Sequence, residues 1–327
     1  MLFRSHPPCK RKVVSSILTG GSMNSRHVSR SNWLSSYLAL GLVWGCSFLF
    51  IKQGLTFLTP FGVAFGRCAL GALTLVIFLK VRKLELPRDP KIWIKLWIVS
   101  LLLNSVPGVL FALAQTKVTS ILAGIINATT PLMTLLVMLL VFRDEKISKN
   151  QILGLFVGAA GIGTVFGVWN GLGSNPVWAI CALLLAVLCY GISFPFSKRY
   201  VIPLQMKAEV LAATQLISAS ATLLPFYLFD GISNDQYGVV PMLSMLALGI
   251  FGSGFAYIWN FKIIKEAGSA IASTVTYITP LVAVLMGLIF LKEPITWNEP
   301  IGGVIVLLGA AIAQNRIGNR QVRSVKV

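Results

Sequence analysis

The sequence predicts an all-α membrane protein of ten transmembrane helices, arranged as two inverted five-helix repeats. Three observations predict it. The apolar residues fall into ten long runs, the cations gather at alternate joints between those runs, and the second half repeats the landmarks of the first.

Of the 327 residues, 56% are hydrophobic and only 12% charged, with a mean hydropathy of +0.80. Soluble domains carry roughly 25% charged residues, so this exterior is not built for water. A bilayer core ~30 Å thick needs about 20 apolar residues per helix. A membrane β-barrel would instead alternate in segments of about 10 residues. The runs do not alternate, which leaves a helical bundle.

A polar tail, 1–32, precedes the first run at 34–51, which carries "WGCSF" at 44–48. The second run, 61–79, holds Arg67, and the third spans 93–114. The fourth, 121–142, is centred near Pro131 and stops at a charged cluster containing Glu145. The fifth, 151–168, carries Gly154, Gly158 and Gly161 and completes a first unit at 33–170. A sixth run at 177–196 contains "YGISF" at 190–194, and a seventh at 209–229 contains Gln215. The eighth, 240–261, holds Tyr257 and Trp259. The ninth, 268–291, has Pro280 near its middle and stops at Lys292 and Glu293. The tenth, 299–315, carries Gly302 and Gly309, closing a second unit at 176–315 before a short tail at 316–327. The joints are too short for a soluble domain.

Net charge is +18. With the N-terminus placed inside, 24 of the 28 Lys and Arg fall in inside segments and three (Lys52, Lys117, Lys292) outside. That asymmetry predicts a multi-pass protein of the cell membrane with both termini cytoplasmic. The same charge in a soluble chain would suggest nucleic acid, but here the cations are scattered over short loops, so no nucleic-acid partner is expected. The five cysteines have no paired spacing and four lie inside spans, so neither a disulfide nor a metal site is expected. The first 22 residues lack an apolar core of secretory length, and Met23 begins a tidier tail that is the expected start.

The repeat is read from matched positions. "WGCSF" aligns with "YGISF" at an offset of 146, Pro131 with Pro280 at 149, and Glu145 with Glu293 at 148. Gly154 and Gly161 follow Glu145 by 9 and 16 residues, as Gly302 and Gly309 follow Glu293. One offset drifting near 148 marks a duplication. Five crossings is an odd number, so the second copy enters the membrane from the opposite side and the copies are inverted. Loop charges agree: 143–149 is basic, whereas its counterpart 292–299 holds Lys292 against Glu293 and Glu299.

These residues resemble an EamA-type member of the drug/metabolite transporter superfamily. The likeness rests on "WGCSF", "FGRCALGALTL" (65–75), "ATTPLMTLLVMLLVFRDEKIS", "YITPLVAVLMGLIFLKEPIT" and "GGVIVLLGA", and covers about 33–315. It implies ten helices in two repeats and the export or exchange of small metabolites, amino acids or drugs. The first half departs from the second by one extra residue between the proline and the glutamate.

Proline inside a helix removes an N–H and clashes with the carbonyl four residues back. The carbonyls so freed belong to Asn127 and Thr276, near the bilayer midplane, where inverted-repeat transporters bind substrate. Pro131 and Pro280 are therefore expected as hinges, the alternative being kinks that serve packing alone. Arg67 is the charged side chain placed within a span, which costs about 2.5–3.5 kcal/mol at a helix centre unless it finds a polar interior. It either faces a cavity and attracts an anionic group or snorkels to the surface; its repeat equivalent is Gln215. The span-2 arginine also matches the resembled family's pattern. Trp44, Ser47, Gln115, Tyr190, Ser193, Tyr257, Trp259 and Tyr277 are further lining candidates. Gly41/Gly45, Gly62/Gly66 and Gly154/Gly158 have the four-residue spacing of close helix approach, within the chain or, as the alternative, at a homodimer face.

The expectation is a secondary transporter in the lipid bilayer, moving a small-molecule substrate by alternating access with no cofactor. No acidic residue lies in mid-span, so a carboxylate proton relay is not evident and uniport or exchange is favoured. A lipid or amphiphile flippase is the alternative. An intramembrane enzyme would need His, paired Asp or metal ligands within the spans, and the spans hold none of these sets.

Overall fold

The computed structural model describes residues 31–141, 149–167, 175–233 and 237–313. Both tails and the charged cluster with Glu145 lie outside the described residues. Fourteen α-helices are seen among the described residues. The first half contains α1 (Ser31–Gly54), α2 (Pro60–Val81), α3 (Pro90–Ser100), α4 (Val106–Gln115), α5 (Ser120–Asn127), α6 (Thr130–Leu140) and α7 (Lys149–Phe166). The second contains α8 (Val177–Phe196), α9 (Ala208–Asp230), α10 (Val239–Gly249), α11 (Ala256–Ala267), α12 (Ser269–Ser273), α13 (Thr279–Met286) and α14 (Asn298–Ala313). No strand occurs among the described residues; one bridge pairs Leu58 with Ile232.

Local chemistry sets several starts. Thr59 caps α2, accepting from Gly62 N at 3.2 Å ahead of Pro60. Asp89 caps α3 ahead of Pro90, accepting from Lys91 N at 2.9 Å. Thr119 caps α5 through Leu122 N at 3.1 Å. A capping oxygen followed by proline satisfies N–H groups that no helical carbonyl can reach.

Stacked end to end, these helices form eight segments long and apolar enough to cross a membrane, plus two shorter apolar helices, Ile152–Phe166 and Asn298–Ala313. Among the described residues, eight of the ten expected spans thus reach full length, and the fifth and tenth correspond to the two shorter helices, α7 and α14. Other spans exceed their expected limits: Pro90–Gln115, Val177–Leu204 and Val239–Ala267. Each contains a π-helical segment (Leu101–Ser105, Ser197–Val201, Ile250–Phe255). Hydropathy stops at the first polar residue, whereas backbone hydrogen bonding runs through it.

The two prolines break their spans. Helices α5 and α6 are separated at Ala128 and Thr129, and a 3₁₀ turn (Thr274–Tyr277) precedes α13. The Asn127 carbonyl accepts from Thr130 Oγ1 at 2.7 Å and the Thr276 carbonyl from Thr279 Oγ1 at 2.9 Å. The threonine before each proline, rather than Asn127 or Thr276 themselves, satisfies the freed carbonyl.

Contacts between the halves are reciprocal. A Cβ placed on Gly154 would lie 2.5 Å from the Gly309 carbonyl oxygen, and one on Gly309 would lie 2.8 Å from that of Gly154. A Cβ on Gly161 would lie 3.1 Å from the Gly302 oxygen, and one on Gly302 2.9 Å from that of Gly161. Since 154 matches 302 and 161 matches 309, each contact is the other's image. Rising numbers in α7 meet falling numbers in α14, so the helices are antiparallel. Gly45 on α1 likewise abuts Val282 on α13, while its equivalent Gly191 on α8 abuts Met133, the equivalent of Val282, on α6. Reciprocal pairing is the mark of a two-fold relation.

The other small-residue pairs also meet neighbours within the chain. Gly41 faces Ile278, Gly62 the Gly231 carbonyl and Gly66 Met245.

A Leu at Gly161 would overpack a backbone-to-backbone contact, which costs about 1–3 kcal/mol or more. Gly161→Leu is expected to lower the melting temperature in detergent clearly, whereas Gly268→Ala, where no atom crowds the new Cβ, changes only local backbone strain at φ +89°.

Candidate functional site

Arg67 sets the site. Its side chain is 7% exposed, turned into the bundle rather than snorkelling. Its Nε donates to Ser253 Oγ at 3.1 Å and its Nη2 to the Gly252 carbonyl at 3.4 Å. Both acceptors lie in the π segment Ile250–Phe255. No carboxylate pairs with Arg67 among the described residues. A guanidinium has five N–H donors, so most remain for something else.

The neutral repeat equivalent shows the same construction. Gln215 Nε2 donates to Asn104 Oδ1, and Asn104 lies in the matching π segment, Leu101–Ser105. Ser253 and Asn104 are equivalents at an offset of 149. The two buried polar pairs, Arg67 with Ser253 and Gln215 with Asn104, therefore cross between halves as images of each other.

Arg67 borders a narrow central cavity, with about 40 Å³ of room for the centre of a water-sized molecule. One face of α1 supplies Trp44, Ser47, Phe48 and Ile51, and the partner half supplies Tyr190, Phe194 and Tyr257. Leu103, Phe111, Asn127 and Thr276 complete the wall. The aromatic rings brace one another. Trp44 meets Tyr257 edge-on at 6.0 Å, Phe48 meets Phe111 edge-on at 5.6 Å, and Phe111 stacks on Tyr190 at 5.8 Å. Such pairs hold rings in fixed geometry. Tyr257 OH donates to the Leu103 carbonyl at 3.2 Å, a group in the π segment. Asn127 Nδ2 donates to Thr279 Oγ1 at 3.3 Å, joining the two broken spans across the middle. The result is an apolar, aromatic chamber with one charge and a few amide and hydroxyl groups, the composition of a small-molecule site.

Of the residues expected from sequence, Arg67, Trp44, Ser47, Asn127, Tyr190, Tyr257 and Thr276 come together here. Ser193 does not: its hydroxyl donates back to the Tyr190 carbonyl at 2.8 Å. Gln215 is buried in its own polar pair, and Trp259 leans on Phe255 at 6.4 Å away from the cavity. Phe48, Ile51, Leu103, Phe111 and Phe194 line the cavity without having stood among the sequence candidates. The i, i+3, i+4, i+7 spacing of 44, 47, 48 and 51 could have found two of them. Pro131 and Pro280 stand in the first turns of α6 and α13, beside the breaks.

At one end of the cavity two charged side chains hold the turn between α4 and α5. Lys52 Nζ donates to the carbonyls of Gln115 at 2.7 Å and Val118 at 3.1 Å. Glu293 accepts from Ser120 N at 2.8 Å, Ser120 Oγ at 2.8 Å and Ile121 N at 3.1 Å. A cation at a helix C-terminus and an anion at the next N-terminus both match the helix dipoles.

The profile of the EamA-like transporter family matches residues 31–167 and again 177–314. An uncharacterized transporter of Archaeoglobus fulgidus is 25% identical over 278 residues, spanning 82% of this chain and 94% of its own. The uncharacterized inner membrane transporter YedA of Escherichia coli K12 is 28% identical, spanning 76% and 79% respectively. The uncharacterized transporter YoaV of Bacillus subtilis is 24% identical, spanning 87% and 97%. One solved crystal structure superposes with a TM-score of 0.65 at 20% identity, over 88% of this chain and 99% of the other, a likeness of fold.

Removing the Ser253 hydroxyl strips a buried charge of a hydrogen bond worth about 1.5–3 kcal/mol. Ser253→Ala is therefore expected to destabilise the protein more than Ser193→Ala, whose hydroxyl bonds only its own helix, when both are compared by thermal unfolding in one detergent.

Proposed function

The chain belongs to the EamA-like transporter family, and on that footing we propose that it moves small, partly apolar metabolites bearing a carboxylate, amino acids among them, by alternating access. The observation that carries this reading is Arg67, a buried charge with no carboxylate beside it among the described residues, at the wall of an aromatic cavity between matched halves. An isolated buried charge is strongly unfavourable, and a substrate anion relieves that penalty while the rings bury its apolar part. In this reading the chain crosses the membrane ten times, α7 and α14 included, with both ends on the basic, cytoplasmic side. Uniport or exchange needs no mid-span proton carrier, in keeping with the placement of the acids in loops or at span ends.

The end contacts support a gating scheme. In the aligned motifs Lys52 matches Lys198. Lys52 is half-buried and bonded to the end of α4, whereas Lys198 is exposed and makes no hydrogen bond among the described residues. Equivalent residues in unequal surroundings are what two exchanging halves require. Lys52 and Glu293 fasten the outer end here, and in the opposite state Lys198 takes the carbonyls at the end of α11.

Arg67→Ala is expected to reduce counterflow of anionic and zwitterionic solutes in liposomes at least about tenfold, the loss of one charge-assisted contact, while the protein still folds. Unchanged transport would end the carboxylate assignment. Lys52→Gln is expected to open the outer end. In a background with the native cysteines replaced, Ser47→Cys should then react several-fold faster with an impermeant maleimide added outside, and no change would refute the fastening role.

A further inference from the structure

A second cleft, with about 1040 Å³ of space partly open to the surroundings, lies at the basic end of the bundle. Four cations line it: Arg82 just past α2, Lys207 at the start of α9, and Lys262 and Lys265 in the last turns of α11. Two carboxylates, Glu209 and Glu266, share the lining and leave it net positive by two. The N-terminus of α9 opens here without a side-chain cap. The Val210 and Leu211 N–H groups both turn back to the Lys207 carbonyl, while those of Ala208 and Glu209 have no recorded acceptor. Uncapped N–H groups on a 23-residue helix beside cations form an anion site suited to phosphate.

A membrane phosphate is favoured over a soluble one by position. The cations stand at the ends of three apolar helices, the depth at which lipid phosphates lie. The floor is apolar, with Leu84 and Ile258. From Arg82 a stripe of lipid-facing side chains descends α2 at four-residue steps: Val81 (75% exposed), Ile77 and Leu73. A phosphodiester in the cleft would leave its acyl chain against that stripe. No residue lines both this cleft and the Arg67 chamber, so the two sites are separate.

We propose that this cleft binds the headgroup of an anionic phospholipid from the leaflet at the basic face, with Arg82, Lys207 and Lys265 on the phosphate and α2 carrying the chain. The test uses the full-length protein in nanodiscs of phosphatidylcholine with or without phosphatidylglycerol. Lipid released from the folded, monodisperse protein is counted by mass spectrometry. Phosphatidylglycerol should be enriched around the wild type, and Lys207→Gln with Lys265→Gln should cut that enrichment about tenfold, the loss of two charges at the membrane surface. Lys207→Arg with Lys265→Arg should retain it. Lys80→Gln with Lys91→Gln, exposed cations of the same face outside the cleft lining, should leave it unchanged. An equal loss in that control would reduce the effect to general surface charge and overturn the proposal. Glycerol 1-phosphate competing as well as the lipid would assign the cleft to soluble phosphate and overturn it too.

Discussion

Arg67 brings a full positive charge into the interior of a bundle with no carboxylate of the described residues set against it. Much of the middle of the molecule follows from accommodating that charge. It requires acceptors on the opposite half, and the π segment at Ile250–Phe255 supplies them by displacing Ser253 and the Gly252 carbonyl from regular helical register. A π turn adds a residue to one coil and redirects the side chains there. The matching turn at Leu101–Ser105 does the same for Asn104 and Gln215. Two polar cross-links, one charged and one neutral, thus tie the halves together around the cavity. Rings and hydroxyl groups fill what the cross-links leave.

Around this centre the packing is set by absent side chains. Where α7 meets α14, glycines bring backbone to within reach of backbone, a contact that van der Waals attraction rewards and that lipid tails cannot reproduce. The broken spans add a further constraint. Each carries its own hydroxyl to close the gap left by proline, and the Asn127–Thr279 bond links one break to the other. The breaks are therefore satisfied structures that can be lined against a ligand without leaving bare carbonyls in an apolar setting.

Fold class and repeat were legible because both are written in properties that survive without packing: run length, loop charge and the order of Pro131, Glu145, Gly154 and Gly161 against their equivalents. Helix ends were less legible. At 197–204 hydropathy falls with Lys198 and Arg199, yet the backbone continues through a π and a 3₁₀ turn, since hydrogen bonds along the chain are indifferent to where lipid ends. The site was half legible. Rare residues such as Arg67 and Asn127 announce themselves in an apolar span, whereas Phe48 and Phe111 look like any core residue until a partner helix is placed beside them. Ser47 and Ser193 are equivalent in sequence and each hydroxyl bonds its own helix, yet only Ser47 lines the cavity, a difference that depends on the helices placed opposite.

The inequality of Arg67 and Gln215 gives the duplicated architecture a handedness of energy. Two halves that are images in backbone would produce end states of equal depth, like a coin with identical faces. With the cation on one half only, an anion carried as proposed above would rest off-centre, nearer α2. In the proposed cycle the two loaded faces would then differ in depth, so the balance between them would be written into a single side chain rather than into the fold.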